Sequence, residues 1–305
     1  MDIKMKYTII IPHHNSSILL KRVLLTIPKS LKAQIIVVDD NSREEEYSHV
    51  ERLKSVVSFD FYKNEGCTAG GARNTGLKYA IGEWLIFADS DDYFTSEMAN
   101  LVETHVLSKA DVIFFNVRSV VSETGDRAHR DSHIKNLIAK YKYSGDDNFV
   151  RCSYLVPWGK MYRRKFIEEN NIRFEERTAG NDMWFALRSG VEASSVEIDS
   201  RELYVCTVSS GTITTTLSID RHEAKFQATL KTNNYLRKHG LGRYQVSVLY
   251  FVAKAKQFGW GYLGHVLMEC VRNKSNFLIG AKKILQYKKV LQDRQNPIFT
   301  RKDNQ

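Results

Sequence analysis

Three short apolar runs, two of them ending in carboxylates, constrain this chain most. Residues 7–11 (YTIII), 33–38 (AQIIVV) and 84–88 (WLIFA) read as strands, and the last two run directly into Asp39-Asp40 and Asp89-Ser90-Asp91-Asp92. Helical spacing fills the gaps, over residues 17–31 with a late break at Pro28 and over about residues 69–80. Further strand-like runs lie at residues 56–62 and 112–117. Short buried strands alternating with helices predict an α/β fold whose parallel sheet is covered on both faces. Ligands in such sheets bind beyond the carboxyl ends of the strands, so both acidic clusters should face one crevice.

Carboxylates this close together repel one another and lose solvation beside an apolar strand, so Asp89, Asp91 and Asp92 require a counter-charge. In extended chain Asp89 and Asp91 project to one side roughly 7 Å apart, which leaves room for a divalent cation or a pair of sugar hydroxyls. Carboxylate oxygens are hard ligands suited to Mg2+ or Mn2+, ions that share their coordination with substrate phosphates. The expectation is a nucleotide at one cluster and its metal-bridged phosphates at the other. Taken alone, Asp39-Asp40-Asn41-Ser42 reads as an ordinary strand-ending turn with helix-cap residues.

An apolar share of 43% and a charged share of 26% are values of a folded globular chain. No apolar run reaches the roughly 20 residues that span a bilayer, and the N-terminus lacks the pattern of a secretory signal. Cys67, Cys152, Cys206 and Cys270 are widely spaced and match no zinc or disulfide pattern, so a reduced, cytoplasmic protein is expected. The net charge of +10 predicts attraction to polyanions, and much of it lies beyond Arg272. Residues 124–147 are polar and are expected to form an excursion with mobile parts. A composition shift near Ile219 opens a Lys-rich helical region. It has three candidate roles: packing on the rest of the chain, forming a homodimer interface, or lying on an anionic membrane through Lys282, Lys283, Lys288 and Lys289. The last would make the protein peripheral on the inner membrane face.

The strings YTIIIPHHN, IIVVDDNS, GGARNTGLKYAIGEWLIFADSDD, WGKMYRR and NDMWF occur in an order and spacing that resembles family 2 glycosyltransferases, the nucleotide-sugar-dependent inverting enzymes of the GT-A fold. The resemblance spans about residues 5–220. It implies a Rossmann-like, mixed but mostly parallel sheet flanked by helices, with a helical C-terminal appendage. The catalytic domain would be residues 1–220, its nucleotide-sugar half about 1–118 and its acceptor half about 119–220, followed by a basic helical region over 221–305.

The resemblance also implies roles. Pro12, His14 and Asn15 would meet the nucleotide, His14 standing where the family has an aromatic that packs on the base. Asp40 would accept a hydrogen bond from the base, typically uracil, and Asn41 would replace the commoner glycine of that turn. Arg73 would lie near the nucleotide, Asp89 with Ser90 at the ribose, and Asp91 with Asp89 at the metal, Mg2+ or Mn2+; Asp92 could share either duty. Inverting transfer requires a base on the acceptor side. Asp182 matches the family's Glu-Asp pair, with Asn181 in place of the Glu, and its position also suits the cap of a helix over 183–189. Trp158 and Lys160 would contact the acceptor, Trp158 by stacking on a sugar; the plainer reading makes Trp158 a core residue and Lys160 a solvated one.

The implied donor is a UDP-sugar and the acceptor a glycan or lipid-linked glycan of surface polysaccharide or lipooligosaccharide. Two other readings compete. A sugar-phosphate nucleotidyltransferase would carry a Gly-rich basic loop after the first strand, where this chain has Pro12-His13-His14-Asn15. A nucleic-acid-binding protein would account for the basic charge, but no nucleic-acid module is present and no nucleic-acid partner is expected.

Overall fold

The computed structural model describes residues 5–209 and 218–280. Its first half is built on the apolar runs: β1 (Tyr7–His13), α1 (Ser17–Thr26), β2 (Gln34–Asp39), α2 (Glu44–Leu53), β3 (Asp60–Lys63), α3 (Thr68–Tyr79) and β4 (Trp84–Phe87). All residues of β1 and β4 are buried, as expected of strands covered on both faces. Next come β5 (Tyr93–Phe94), α4 (Met98–Thr104), β6 (Val112–Val121), α5 (Ser132–Ser144), α6 (Asn148–Ser153), β7 (Lys160–Arg163), α7 (Arg164–Glu169), α8 (Met183–Glu192) and β8 (Val196–Val208). Helices α9 (Ile219–Lys238), α10 (Leu249–Ala255) and α11 (Trp260–Arg272) complete the described chain.

The sheet runs β3-β2-β1-β4-β7-β6-β8-β5. Strands β3, β2, β1 and β4 are parallel, so β2 and β4 both deliver their terminal aspartates to one edge. Antiparallel β7 joins this half to β6, which pairs parallel with β8. Pro12, which has no N–H, is tolerated within β1 because the ladder with β4 has already ended at Ile10 and Phe87.

Two sequence expectations need correction. Residues 56–58 lie outside β3, which begins only at Asp60. The polar stretch 124–147 is no bare excursion: it carries the thirteen-residue helix α5, anchored by buried Ile134, Leu137 and Ile138. Three apolar residues at helical spacing are enough to dock a short helix, and ten other residues dilute their signal in the sequence.

Helix α9 begins at Ile219, where composition shifts, and Ser218 caps it by accepting from the N–H of Arg221 at 3.3 Å. Phe226 and Leu230 of α9 share a small apolar core with Phe251, Ala255, Val266 and Cys270 of α10 and α11, distinct from the large core of the sheet. Helix α9 also rests on the loop before α8: Gly180, at φ +72°, lies against Ala228 and Lys225. Lys282, Lys283, Lys288 and Lys289 lie outside the described residues. No helix among the described residues is long and apolar enough to cross a membrane.

Candidate active site

The end of β2 forms one wall. Asn41 adopts a left-handed turn at φ 57°, which Asn accepts because its short polar side chain can bond locally. Asp39 is taken up by this turn, its Oδ2 accepting from the N–H of Ser42 at 3.1 Å. Asp40 instead accepts from Asn64 Nδ2 at 2.7 Å. Opposite, His14 Nδ1 donates to the carbonyl of Asp40 at 2.7 Å, and its Nε2 accepts from Asn15 Nδ2 at 2.9 Å. These bonds fix the orientation of the ring and leave it exposed at the edge. Asn15, itself left-handed at φ 48°, donates its N–H to Ser42 Oγ at 2.9 Å, while Pro12 is buried behind it.

The end of β4 forms the other wall, and a hydrogen bond between Ser16 and Ser90 at 3.0 Å joins the two. Asp89, Asp91 and Asp92 each bring one oxygen within 4.8 Å of the others. Strand β8 holds their turn: the N–H of Asp89 donates to Tyr204 Oη at 2.8 Å, and the N–H of Thr207 to Asp92 Oδ1 at 2.7 Å.

Part of the required counter-charge is arginine. Arg73, buried in α3, meets Asp89 Oδ1 at 2.5 Å and Asn181 Oδ1 at 3.3 Å. Arg22 donates to the carbonyl of Asp91, and Arg130 donates to the carbonyl of Thr207 at 3.0 Å, where its charge is felt by Asp91 and Asp92. Even so, burial raises the pKa of Asp91, with Asp89 adding to it, and burial together with Asp91 raises Asp92 well above the usual carboxylate range. The cluster is still short of positive charge. Asp92 Oδ2 is buried and has no hydrogen-bond partner among the described residues. Three carboxylates that can each offer a hard oxygen, one of them with an unsatisfied oxygen, fit Mg2+ or Mn2+.

Asp182 stands at the start of α8, but its side chain makes no capping bond, so the carboxylate is not engaged by its own helix. Its place is set by packing. Phe185, one turn on, stacks on Phe174 at 3.9 Å and meets Phe87, the last residue of β4, at 5.3 Å. Arg73 links Asp89 to Asn181, the residue before Asp182. Burial raises the Asp182 pKa; Arg73 opposes the shift and Asp89 reinforces it.

The glycines of α3 bring Arg73 to this point. A Cβ on Gly70 would collide with the carbonyl of Glu175, and one on Gly76 with Ile10 of β1, so the helix lies closer to sheet and loop than side chains would permit.

A parallel sheet edge thus carries paired acidic clusters and a separate carboxylate of raised basicity. The family model described as Glycosyl transferase family 2 matches residues 8–170. The chain belongs to that family. TarS of Staphylococcus aureus, a poly(ribitol-phosphate) beta-N-acetylglucosaminyltransferase, is 26% identical over 211 residues, covering 66% of this chain and 35% of TarS. The chain thus spans about a third of the length of the first curated relatives it matches. The crystal structure of TarS 1-349 with UDP-GlcNAc superposes with a TM-score of 0.61 at 20% identity, covering 97% of this chain and 82% of that one. A mannosyltransferase from Pyrobaculum calidifontis with GDP-Man and Mn2+ gives 0.56 at 15% identity, covering 95% and 81%. Both likenesses show the fold, GT-A with a mixed sheet and flanking helices.

Set against the family's motif positions, the structure gathers Pro12, His14, Asn15 and Asp40 on one wall and Arg73, Asp89, Ser90, Asp91 and Asp182 on the other. Two expected members are not there. Trp158 is buried, stacked on Tyr204 at 5.3 Å, and has no face to offer a sugar; it backs the tyrosine that holds Asp89. Lys160 is fully buried, neither solvated nor placed to touch an acceptor. Its Nζ donates to the carbonyl of Tyr154 at 2.6 Å among the rings of Tyr154 and Phe114, and burial pulls its pKa well below the usual value despite Asp182 nearby. Sequence reading also missed Arg22, Arg130, Tyr204 and Thr207. The β-branched and aromatic run LYVCTV, at residues 203–208, was a usable strand signal for the last two; Arg130 had none.

Proposed function

We propose that this chain is a metal-dependent inverting glycosyltransferase that moves a sugar from a UDP-sugar to a hydroxyl of a glycan or lipid-linked glycan in surface-polymer synthesis. The observation that carries the reading is Asp182, a carboxylate of raised basicity joined through Asn181 and Arg73 to the acidic cluster. Donor and acceptor sides of an inverting displacement need two separate carboxylate groups, and one arginine connects them here. The UDP-GlcNAc in TarS crystals and the Mn2+ in the mannosyltransferase support the donor class and the metal.

In this reading the exposed His14 ring packs on the base and Asp40 accepts from it. Asp89 and Ser90 meet the ribose, and Arg73 keeps Asp89 oriented. A divalent cation on Asp91 and Asp89 would neutralise charge on the departing diphosphate. Asp182 takes the proton of the acceptor hydroxyl as its oxygen bonds to the anomeric carbon and the bond to the diphosphate breaks. Residues 1–220 would form the catalytic domain and 221–305 a helical region; α9, α10 and α11 have a small core of their own, and Leu236 and Tyr244 also pack with Cys152 and Leu187 across the division.

A screen of UDP-sugars for Mn2+-dependent hydrolysis tests the donor. Calorimetry with UDP tests the metal: Asp91→Ala should abolish the gain in affinity that Mn2+ gives wild type, because a ligand is lost while the diphosphate charge remains. An unchanged gain would remove Asp91 from the metal site.

A further inference from the structure

Helix α11 has a buried face and a bare one. Val266 and Cys270 are buried against α9 and α10. Trp260, Leu267 and Val271, spaced by seven and then four residues, form an outward row with Met268 beside it, and Leu278 is exposed beyond the helix. Trp260 is 73% exposed, Val271 71% and Leu278 81%. The first turns are open around the row: a Cβ at Gly261 or Gly264 would meet no described atom within 4 Å. Four large apolar side chains exposed on one helix exceed the two, Ile18 and Leu25, that α1 exposes.

We infer that this face of α11 docks on an anionic lipid bilayer. Trp260, at the start of the row, has an amphipathic ring suited to headgroup depth. Lysines border the stripe at both ends, with Lys256 Nζ 5.2 Å from the centroid of the Trp260 ring and Lys274 beyond Val271, while Arg272 is paired with Glu269 at 2.9 Å. The remaining sequence, residues 281–305, adds seven Lys and Arg against two Asp. Apolar residues on one face with flanking basic charge are what an interfacial helix needs, and an anionic leaflet complements that charge. A second copy of this chain would bring like charges together along the same edge. The contact is therefore assigned to the described residues of α11, and it does not depend on the sugar-transfer reading.

The test is sedimentation of the full chain with vesicles of phosphatidylcholine alone and of phosphatidylcholine mixed with phosphatidylglycerol. Wild type should bind the mixed vesicles and be released by salt. Trp260→Ser combined with Val271→Ser should lower the partition coefficient by about tenfold or more, since two anchoring side chains leave the interface. Both positions are exposed, so circular dichroism should show an unchanged fold. Brominated lipid should quench tryptophan fluorescence in wild type and lose that effect in Trp260→Phe. Equal sedimentation of wild type and the double variant, or no binding by either, overturns the inference. So does a fall in oligomeric mass of the double variant without lipid, which would mark the stripe as an interface between copies.

Discussion

At the scale of single residues, half-buried Asp182 and fully buried Lys160 lie near each other with opposite consequences. Asp182 has a raised pKa, so the deprotonated fraction that can act as a base declines as pH falls through a value above the usual carboxylate range. The acid limb of the rate profile should therefore lie above about 3.9, the ordinary Asp value. Asp182→Asn should lower transfer roughly 100-fold to 10,000-fold, the share that general-base catalysis supplies, while leaving Mn2+-assisted UDP binding unchanged in calorimetry. Lys160 has a lowered pKa: the unfolded chain binds its proton more tightly than the native state, so its cost to stability lessens as pH rises from the folded toward the unfolded value. Lys160→Met should leave the KM for acceptor unchanged, because no acceptor reaches a side chain sealed among rings. Its urea midpoint relative to wild type should fall as pH rises toward the ordinary lysine value, because wild type gains stability there. A raised acceptor KM would show that Lys160 becomes accessible during turnover.

At the scale of elements, α3 and α8 place the two functional sides by opposite means. Small residues let α3 approach, whereas α8 is held by the rings of Phe185, Phe174 and Phe87. Gly70→Ala should therefore force α3 away from the Glu175 carbonyl at a cost of about 1–3 kcal/mol, the usual range for overpacking. Arg73, one turn further on, would move with it and loosen its bond to Asp89. Chemical denaturation should show the lost stability, and the UDP affinity should drop in the same variant. Normal UDP binding in a destabilised Gly70→Ala protein would mean that Arg73 does not position the nucleotide site.

At the scale of the whole molecule, the acidic cluster is a local weakness that ligand binding should relieve. Asp91, Asp92 and Asp182 all hold protons more tightly in the native state than in the unfolded chain. Stability without ligand thus falls as pH rises from the unfolded carboxylate value through the raised native ones. A cation binding the deprotonated carboxylates opposes that loss. Mn2+ with UDP should raise the melting temperature more at pH ~8 than at pH ~5, and a hundredfold excess over Kd corresponds to about 2.7 kcal/mol. Differential scanning calorimetry at both values, with Asp91→Ala as control, measures it. Equal shifts at the two pH values would argue against carboxylates as the ligands.

The parallel half of the sheet was legible in the sequence because its strands are buried on both faces and read as unbroken apolar runs ending in aspartate. The turn at Asn41 and the start of α9 at Ile219 were legible too, since each depends on neighbours in sequence. The destinations of Trp158 and Lys160 were not. An indole and an amine with a long apolar stem can end in a core or at a surface, and only the rings of Tyr204, Tyr154 and Phe114, brought in from other segments, decided it. Likewise the sequence demanded positive charge at Asp89, Asp91 and Asp92. That Arg73, Arg22 and Arg130 supply part of it was decided by tertiary structure alone. Arg73 lies 16 residues from Asp89 and Arg22 lies 69 from Asp91, so the charges converge only when β4, α1, α3 and the approach to α5 fold onto one edge.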